Sequence, residues 1–231
     1  MHAPITVDIW SDIACPWCFI GKRRFERAVA EYDGEVTVEY HSFELAPDTP
    51  VDYEGSEVDF LADYKGLPKD QVRQMLAHVT QVAAQEGLRF DYDALRHTKT
   101  LLAHQAIHHA KAYGKQSAMV ERLFSAYFEQ GRHVGRVTEL VELAAEVGLD
   151  PEQTREALTD GRYADAVAND IAMVRRLGIT GVPFYVIGGK YGVSGAQDSA
   201  VFLEALRLAA ADAARDAASP ESDRQPAGEA R

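Results

Sequence analysis

The chain holds two cysteines, Cys15 and Cys18, and they stand two residues apart in DIACPWCFIGKRRF, residues 12–25. Two thiols at that spacing can close a small ring by oxidation, supply half of a metal site, or sit together as inert side chains. Ring closure needs sulfurs that meet and one that is nucleophilic. The first turn of a helix brings the sulfurs together. The helix N-terminus supplies reactivity, because its unpaired N–H groups and positive dipole end favour a thiolate. That assigns Cys15 as the attacking thiol and Cys18, one turn further in, as the shielded resolving thiol. Pro16 suits the first helical turn, where its missing N–H costs nothing. Trp17 brings no charge to Cys15. A zinc site would want four ligands, and there is no third cysteine. His104, His108 and His109 offer an HxxxHH pattern on one helix, but without a carboxylate motif they read as partly exposed side chains. No metal site is expected.

These thiols need a scaffold, and the flanking residues suggest one. Residues 5–10, ITVDIW, read as a buried strand. Residues 19–32 read as a helix on which Phe19, Phe25, Val29 and Tyr32 share a face, and residues 36–45 alternate as a second strand. The order strand, Cys-x-x-Cys, helix, strand is a βαβ unit. Helical patterns follow over 57–65, 68–86, 98–113, 116–130 and 137–147. The 116–130 segment carries Met119, Leu123, Phe124, Tyr127 and Phe128 as one apolar stripe. Asp150 then caps a new helix with Pro151 at its first position and Gln153 reaching back, and a further helix over 162–177 stops at Gly178. Residues 184–187 and 190–193 read as a hairpin closed by a two-residue Gly188-Gly189 turn. A last helix covers 198–213, and the polar tail at 214–231 reads as disordered.

Composition bounds the partners. At 231 residues, 46% hydrophobic and 26% charged, the chain has the make-up of an ordinary globular protein. Its formal charge of −12 argues against nucleic acid and anionic membrane surfaces, which want a basic face. MHAPITVDIW shows no basic segment leading into an apolar one, and no run approaches the length of a membrane span. The expected compartment is the cytoplasm, where a close cysteine pair is more often catalytic or metal-binding than structural. Asp12, three residues before Cys15, could relay a proton for the pair or could be a surface residue at a strand end. Pro183 after Val182 could be cis, although spacing alone favours a trans proline opening a strand.

Three motifs together carry a resemblance: D-x-x-C-P-W-C-F-I-G over residues 12–21, G-V-P-F over 181–184 and V-S-G-A-Q over 193–197. With these separations the chain resembles the DsbA-like thioredoxin-fold oxidoreductases, most closely the FrnE-like branch, over residues 4–213. The resemblance implies an α/β thioredoxin fold with a large all-helical insertion. Residues 1–50 and 160–213 would form the discontinuous thioredoxin-like domain, and 51–159 the helical domain packed over the active site. It implies that Pro183 is cis and lies beside the cysteines, with the backbone of Val182 pairing with an extended substrate. Phe184, Gly195 and Gln197 would lie close to the same site. The implied activity is thiol–disulfide exchange with protein or small thiol and disulfide substrates through a mixed disulfide, with isomerase activity as a variant. No cofactor is implied beyond glutathione as a redox partner.

The fold is similar to that of the 2-hydroxychromene-2-carboxylate isomerases and kappa-class glutathione transferases as well. They use bound glutathione and typically place a serine where Cys15 stands. A resolving thiol has no use in that chemistry, so the second cysteine argues against it. A non-catalytic, peptide-holding protein is a third reading. The aromatic stripe of Phe124, Tyr127 and Phe128 could line its groove, but helical spacing favours those rings as core.

Overall fold

The computed structural model describes residues 4–218. Strand β1 (Ile5–Ser11) leads into helix α1 (Pro16–Glu31) and strand β2 (Val36–Ser42). Seven helices follow: α2 (Glu57–Lys65), α3 (Lys69–Gln85), α4 (Leu101–Ala112), α5 (Gln116–Gln130), α6 (Val137–Glu146), α7 (Pro151–Thr159) and α8 (Ala164–Leu177). The chain then returns to the sheet as β3 (Phe184–Ile187) and β4 (Tyr191–Ser194), and α9 (Ser199–Ala218) closes it. The strand order is β2-β1-β3-β4. The β1–β2 pair is parallel, so a crossover must join the two strands, and α1 is that crossover. β3 runs antiparallel to β1, with Trp10 opposite Phe184, and β4 antiparallel to β3.

Alternation along β1 explains how both sheet faces are covered. Ile5, Val7 and Ile9 point into the main core with Phe25 and Ala28 of α1 and Phe202 and Leu206 of α9. Trp10 points the other way, into a smaller cluster with Val174 of α8 and Ile179. The helices between β2 and β3 extend the main core. Phe19 of α1 stacks on Phe124 of α5 with ring centroids 5.0 Å apart. Phe124, Tyr127 and Phe128 are all buried, so the stripe packs the interior instead of lining an open groove.

Several local expectations change. α1 begins at Pro16, a turn earlier than residue 19, because proline is preset for the first helical position. The β3–β4 turn has three residues, 188–190, with Lys190 N–H donating to the Ile187 carbonyl at 3.2 Å. Its two glycines both have positive φ. Asp150 caps α7 by accepting the Gln153 N–H at 2.8 Å, but the Gln153 side chain does not reach back; it accepts the Tyr113 hydroxyl at 2.7 Å. α9 runs on through residues 214–218, which were expected in the tail; residues 219–231, expected to be disordered, lie outside the described residues. His104, His108 and His109 are buried, not partly exposed, because α4 is enclosed by its neighbours. Among the described residues no helix is long and apolar enough to cross a membrane, and no cluster of histidine, cysteine and carboxylate groups could hold a metal ion.

Candidate functional site

Cys15 is the N-cap of α1. Its backbone is extended, with φ −92° and ψ 111°, and its side chain caps nothing. The turn that carries it is closed by the Cys15 N–H on the Asp12 carbonyl, and the Cys18 N–H returns to the Cys15 carbonyl, both at 3.0 Å. No acidic residue occupies the first turn of α1, so the positive end of the helix faces Cys15 uncompensated from within the helix. Both cysteines are free thiols.

The rest of the site arrives from the far end of the chain. The Val182–Pro183 peptide is cis, against the trans geometry favoured by spacing alone. The Cys15 thiol donates to the Val182 carbonyl at 3.6 Å. This loop covers the sulfur: Cys15 is only 4% exposed and Cys18 2%, so the two are shielded almost equally. Trp17 between them is 36% exposed.

Gly21 of α1 lets the segments meet. A Cβ there would fall 2.7 Å from the Tyr185 hydroxyl, 3.1 Å from Pro183 Cγ and 3.4 Å from Ala196 Cα. Gly195 donates its N–H to the Pro183 carbonyl at 2.8 Å and has a φ of +81°. Arg24 of α1 donates to the Ala196 carbonyl at 2.7 Å, fixing the same turn from the helix side.

The two thiols are chemically unequal. Burial pushes the Cys18 thiol well above its usual range, and the neighbouring Cys15 sulfur raises it further. The Ser11 hydroxyl and the Asp12 backbone amide oppose that only in part. Cys18 is therefore held protonated beside Cys15.

Asp12 is not at the surface; it is 1% exposed. Its carboxylate accepts the Ala14 N–H at 3.2 Å and the Leu45 N–H at 2.7 Å, and His104 Nε2 lies 3.4 Å from Oδ1. Burial alone would raise its carboxyl. His104, the Leu45 amide and the Thr100 hydroxyl outweigh that and hold it below the ordinary value.

Cys15, Cys18, Asp12, Val182, Pro183 and Gly195 are thus brought together, with Pro16 and Trp17 inside the motif. Phe184 and Gln197 adjoin that group through Pro183 and Gly195, the latter accepting the Gln197 N–H at 3.0 Å. Phe184 packs against the Trp10 cluster. Gln197 donates its side-chain amide to the Ser194 carbonyl at 2.8 Å, closing its own turn. Ser11 and Tyr185 carried no sequence signal, Gly21 stood in a motif without its packing role, and His104 read as partly exposed. For His104 the signal was present: the apolar neighbours in LLAHQAIHHA point to a buried helix.

Parallel β1–α1–β2, an antiparallel β3–β4 hairpin and a cysteine pair at the head of α1 beside a cis-proline define a thioredoxin-fold protein with helices inserted between β2 and β3. The chain belongs to the DSBA-like thioredoxin domain family, which it matches over residues 6–207. Its sequence is 30% identical to the uncharacterized protein YwbO of Bacillus subtilis over 204 residues, 87% of this chain and 96% of that protein. Its structure is similar to that of a probable DsbA oxidoreductase from Streptomyces coelicolor, at 39% identity and a TM-score of 0.84 over 89% of each chain. At 16% identity it shares the fold of a 2-hydroxychromene-2-carboxylate isomerase, with a TM-score of 0.68 over 93% of this chain and 100% of that one.

Proposed function

We propose that this protein is a thiol–disulfide oxidoreductase that works through Cys15 and Cys18 on protein thiols and disulfides. The observation that carries the reading is the asymmetric pair: one sulfur at the positive end of α1 against the Val182 carbonyl, the other protonated one turn inside. In the reducing direction the Cys15 thiolate attacks a substrate disulfide. A Cys15–substrate disulfide forms and one substrate thiolate leaves. Cys18 then gives up its proton and attacks Cys15, releasing the second substrate thiolate. Two electrons pass from the cysteine pair to the substrate. The oxidising direction is the reverse, and attack by another substrate thiol on the mixed disulfide gives isomerisation.

Asp12 is the candidate proton acceptor for Cys18. It is buried beside the turn that carries the pair, and its carboxyl is held low enough to be ionised. Val182 and Pro183 form the candidate backbone surface for an extended substrate, since the Val182 carbonyl already contacts the Cys15 sulfur. Glutathione is the candidate redox partner, and the proposed setting is the cytoplasm.

Equilibration in glutathione buffers, with mass analysis of the products, tests this. The expected result is a two-electron transition to the Cys15–Cys18 disulfide. A potential near about −120 to −180 mV would group the protein with oxidants and isomerases, and one near about −270 mV with reductants. Failure to form the intramolecular disulfide, with glutathione held noncovalently instead, would overturn the reading in favour of glutathione-dependent isomerase or transferase chemistry. The shared isomerase fold is what keeps that second reading in view.

A further inference from the structure

A buried carboxylate stays ionised only when partners replace its lost water. For Asp12 two of these are backbone amides, Ala14 and Leu45. Two further partners come from the helical insertion: the Thr100 hydroxyl, and His104 on α4, itself 2% exposed, with Nε2 at 3.4 Å from Oδ1. That separation is within ion-pair reach, yet Nε2 makes no well-aligned hydrogen bond among the described residues. A contact of this kind acts through charge more than through direction. Asp12 in turn holds the Cys15 amide on its own carbonyl. An uncompensated carboxylate at this place would oppose a thiolate on Cys15, whereas one matched by an imidazolium would not.

We propose that His104 is a positioning residue of the redox centre, which neutralises Asp12 and thereby sets how readily Cys15 becomes a thiolate. The proposal rests on the oxidoreductase reading and deepens it, by giving the helical insertion a part in tuning the cysteines. His104 acts through Asp12 and does not touch substrate. Other charged or titratable groups act on the same pair. Glu44, from the segment after β2, interacts with both Asp12 and His104 and has Lys99 beside it. Tyr127 of α5, fully buried, faces the Asp12 charge. Glu44 adds negative charge and Lys99 offsets it, and His104 is the ring that lies directly against the Asp12 carboxylate, at 3.4 Å.

The test is the pH–rate profile of Cys15 alkylation by iodoacetamide, read by mass spectrometry, in the wild type and in His104→Gln and His104→Ala. Glutamine keeps an N–H donor of similar reach without the charge. Both variants are expected to move the profile to higher pH and to slow alkylation at neutral pH roughly threefold to tenfold. In an Asp12→Asn background the same substitutions are expected to leave the profile where it is. A His104→Gln profile that overlays the wild type overturns the charge role. A shift that persists without the Asp12 carboxylate overturns the route through Asp12. If His104→Ala fails to fold, His104→Gln alone decides. Iodoacetamide reads the sulfur whether or not the pair exchanges disulfides, so this outcome is separable from failure of the Cys15–Cys18 disulfide to form in glutathione buffers.

Discussion

The Cys15 sulfur and the Val182 carbonyl oxygen lie 3.6 Å apart although 167 positions separate the two residues. One belongs to the cap of α1 and the other to the cis-proline loop that enters β3. The Cys15 sulfur thus rests against backbone that enters from the far end of the sequence.

The unequal thiols predict unequal variants. Cys18→Ser is expected to accumulate a mixed disulfide with glutathione on Cys15, because nothing remains to resolve it. Cys15→Ser is expected to form little adduct, since the remaining thiol is buried and held protonated. Intact-mass measurement after addition of oxidised glutathione checks both. Equal adducts on the two variants would remove the assignment of attacking and resolving roles.

Gly21→Ala sets two effects against each other. Alanine in place of glycine in a helix interior gains about 1 kcal/mol in propensity. The added methyl, however, falls 2.7 Å from the hydroxyl of Tyr185, a 1%-exposed side chain, and 3.1 Å from Pro183. Overpacking of this kind costs about 1–3 kcal/mol. With Pro183 and Ala196 both in the way, the overpacking is expected to win. A lowered urea midpoint together with slower disulfide exchange is the expected result. A raised midpoint would show that the neighbours give way freely.

A buried node away from the cysteines predicts how stability follows pH. His41 donates from Nδ1 to Asp170 at 3.0 Å and from Nε2 to Asp8 at 2.8 Å, and only the protonated ring can donate from both nitrogens. Burial alone would lower its pKa, but the two carboxylates outweigh that and raise it. Asp170 also accepts the Ser42 N–H and contacts His108, and despite burial its carboxyl is held well below the usual range. The raised histidine contributes stability that is complete below its unfolded value, about 6.5, and is lost as pH rises through the folded one. The depressed carboxylate contributes stability present above its unfolded value, about 3.9, and lost as pH falls towards the folded one. Both contributions are in force between about pH 4 and 6.5. Urea midpoints are expected to be highest in that window. Asp170→Ala is expected to cost about 1–3 kcal/mol there, because the Ser42 N–H loses its acceptor and His41 keeps only the partly exposed Asp8 as a close partner. A flat midpoint from acid to neutral pH in the wild type would contradict this account of the node.

Much of the local chemistry was legible because it depends on near neighbours in sequence. Cys15 and Cys18 meet across one helical turn, Pro16 suits the first position of that helix, and Ile5, Val7 and Ile9 alternate towards one sheet face. The three motifs and their order carried the fold through resemblance. Spacing of charges and glycines served less well where a side chain had a choice of distant partners. Gln153 turns to Tyr113, and the β3–β4 turn takes a third residue.

Residue type and short-range spacing alone fix the two thiols and the helix that presents them. The surroundings of those thiols follow from how distant segments pack. Asp12 could equally have been a surface carboxylate, and His104 a solvated histidine, until α4 packed against the turn before α1 and buried both. The Val182 carbonyl likewise reaches Cys15 only because β3 pairs with β1 in one particular register. Burial and electrostatic coupling between distant segments are properties of packing, and packing is where a local pattern stops being informative.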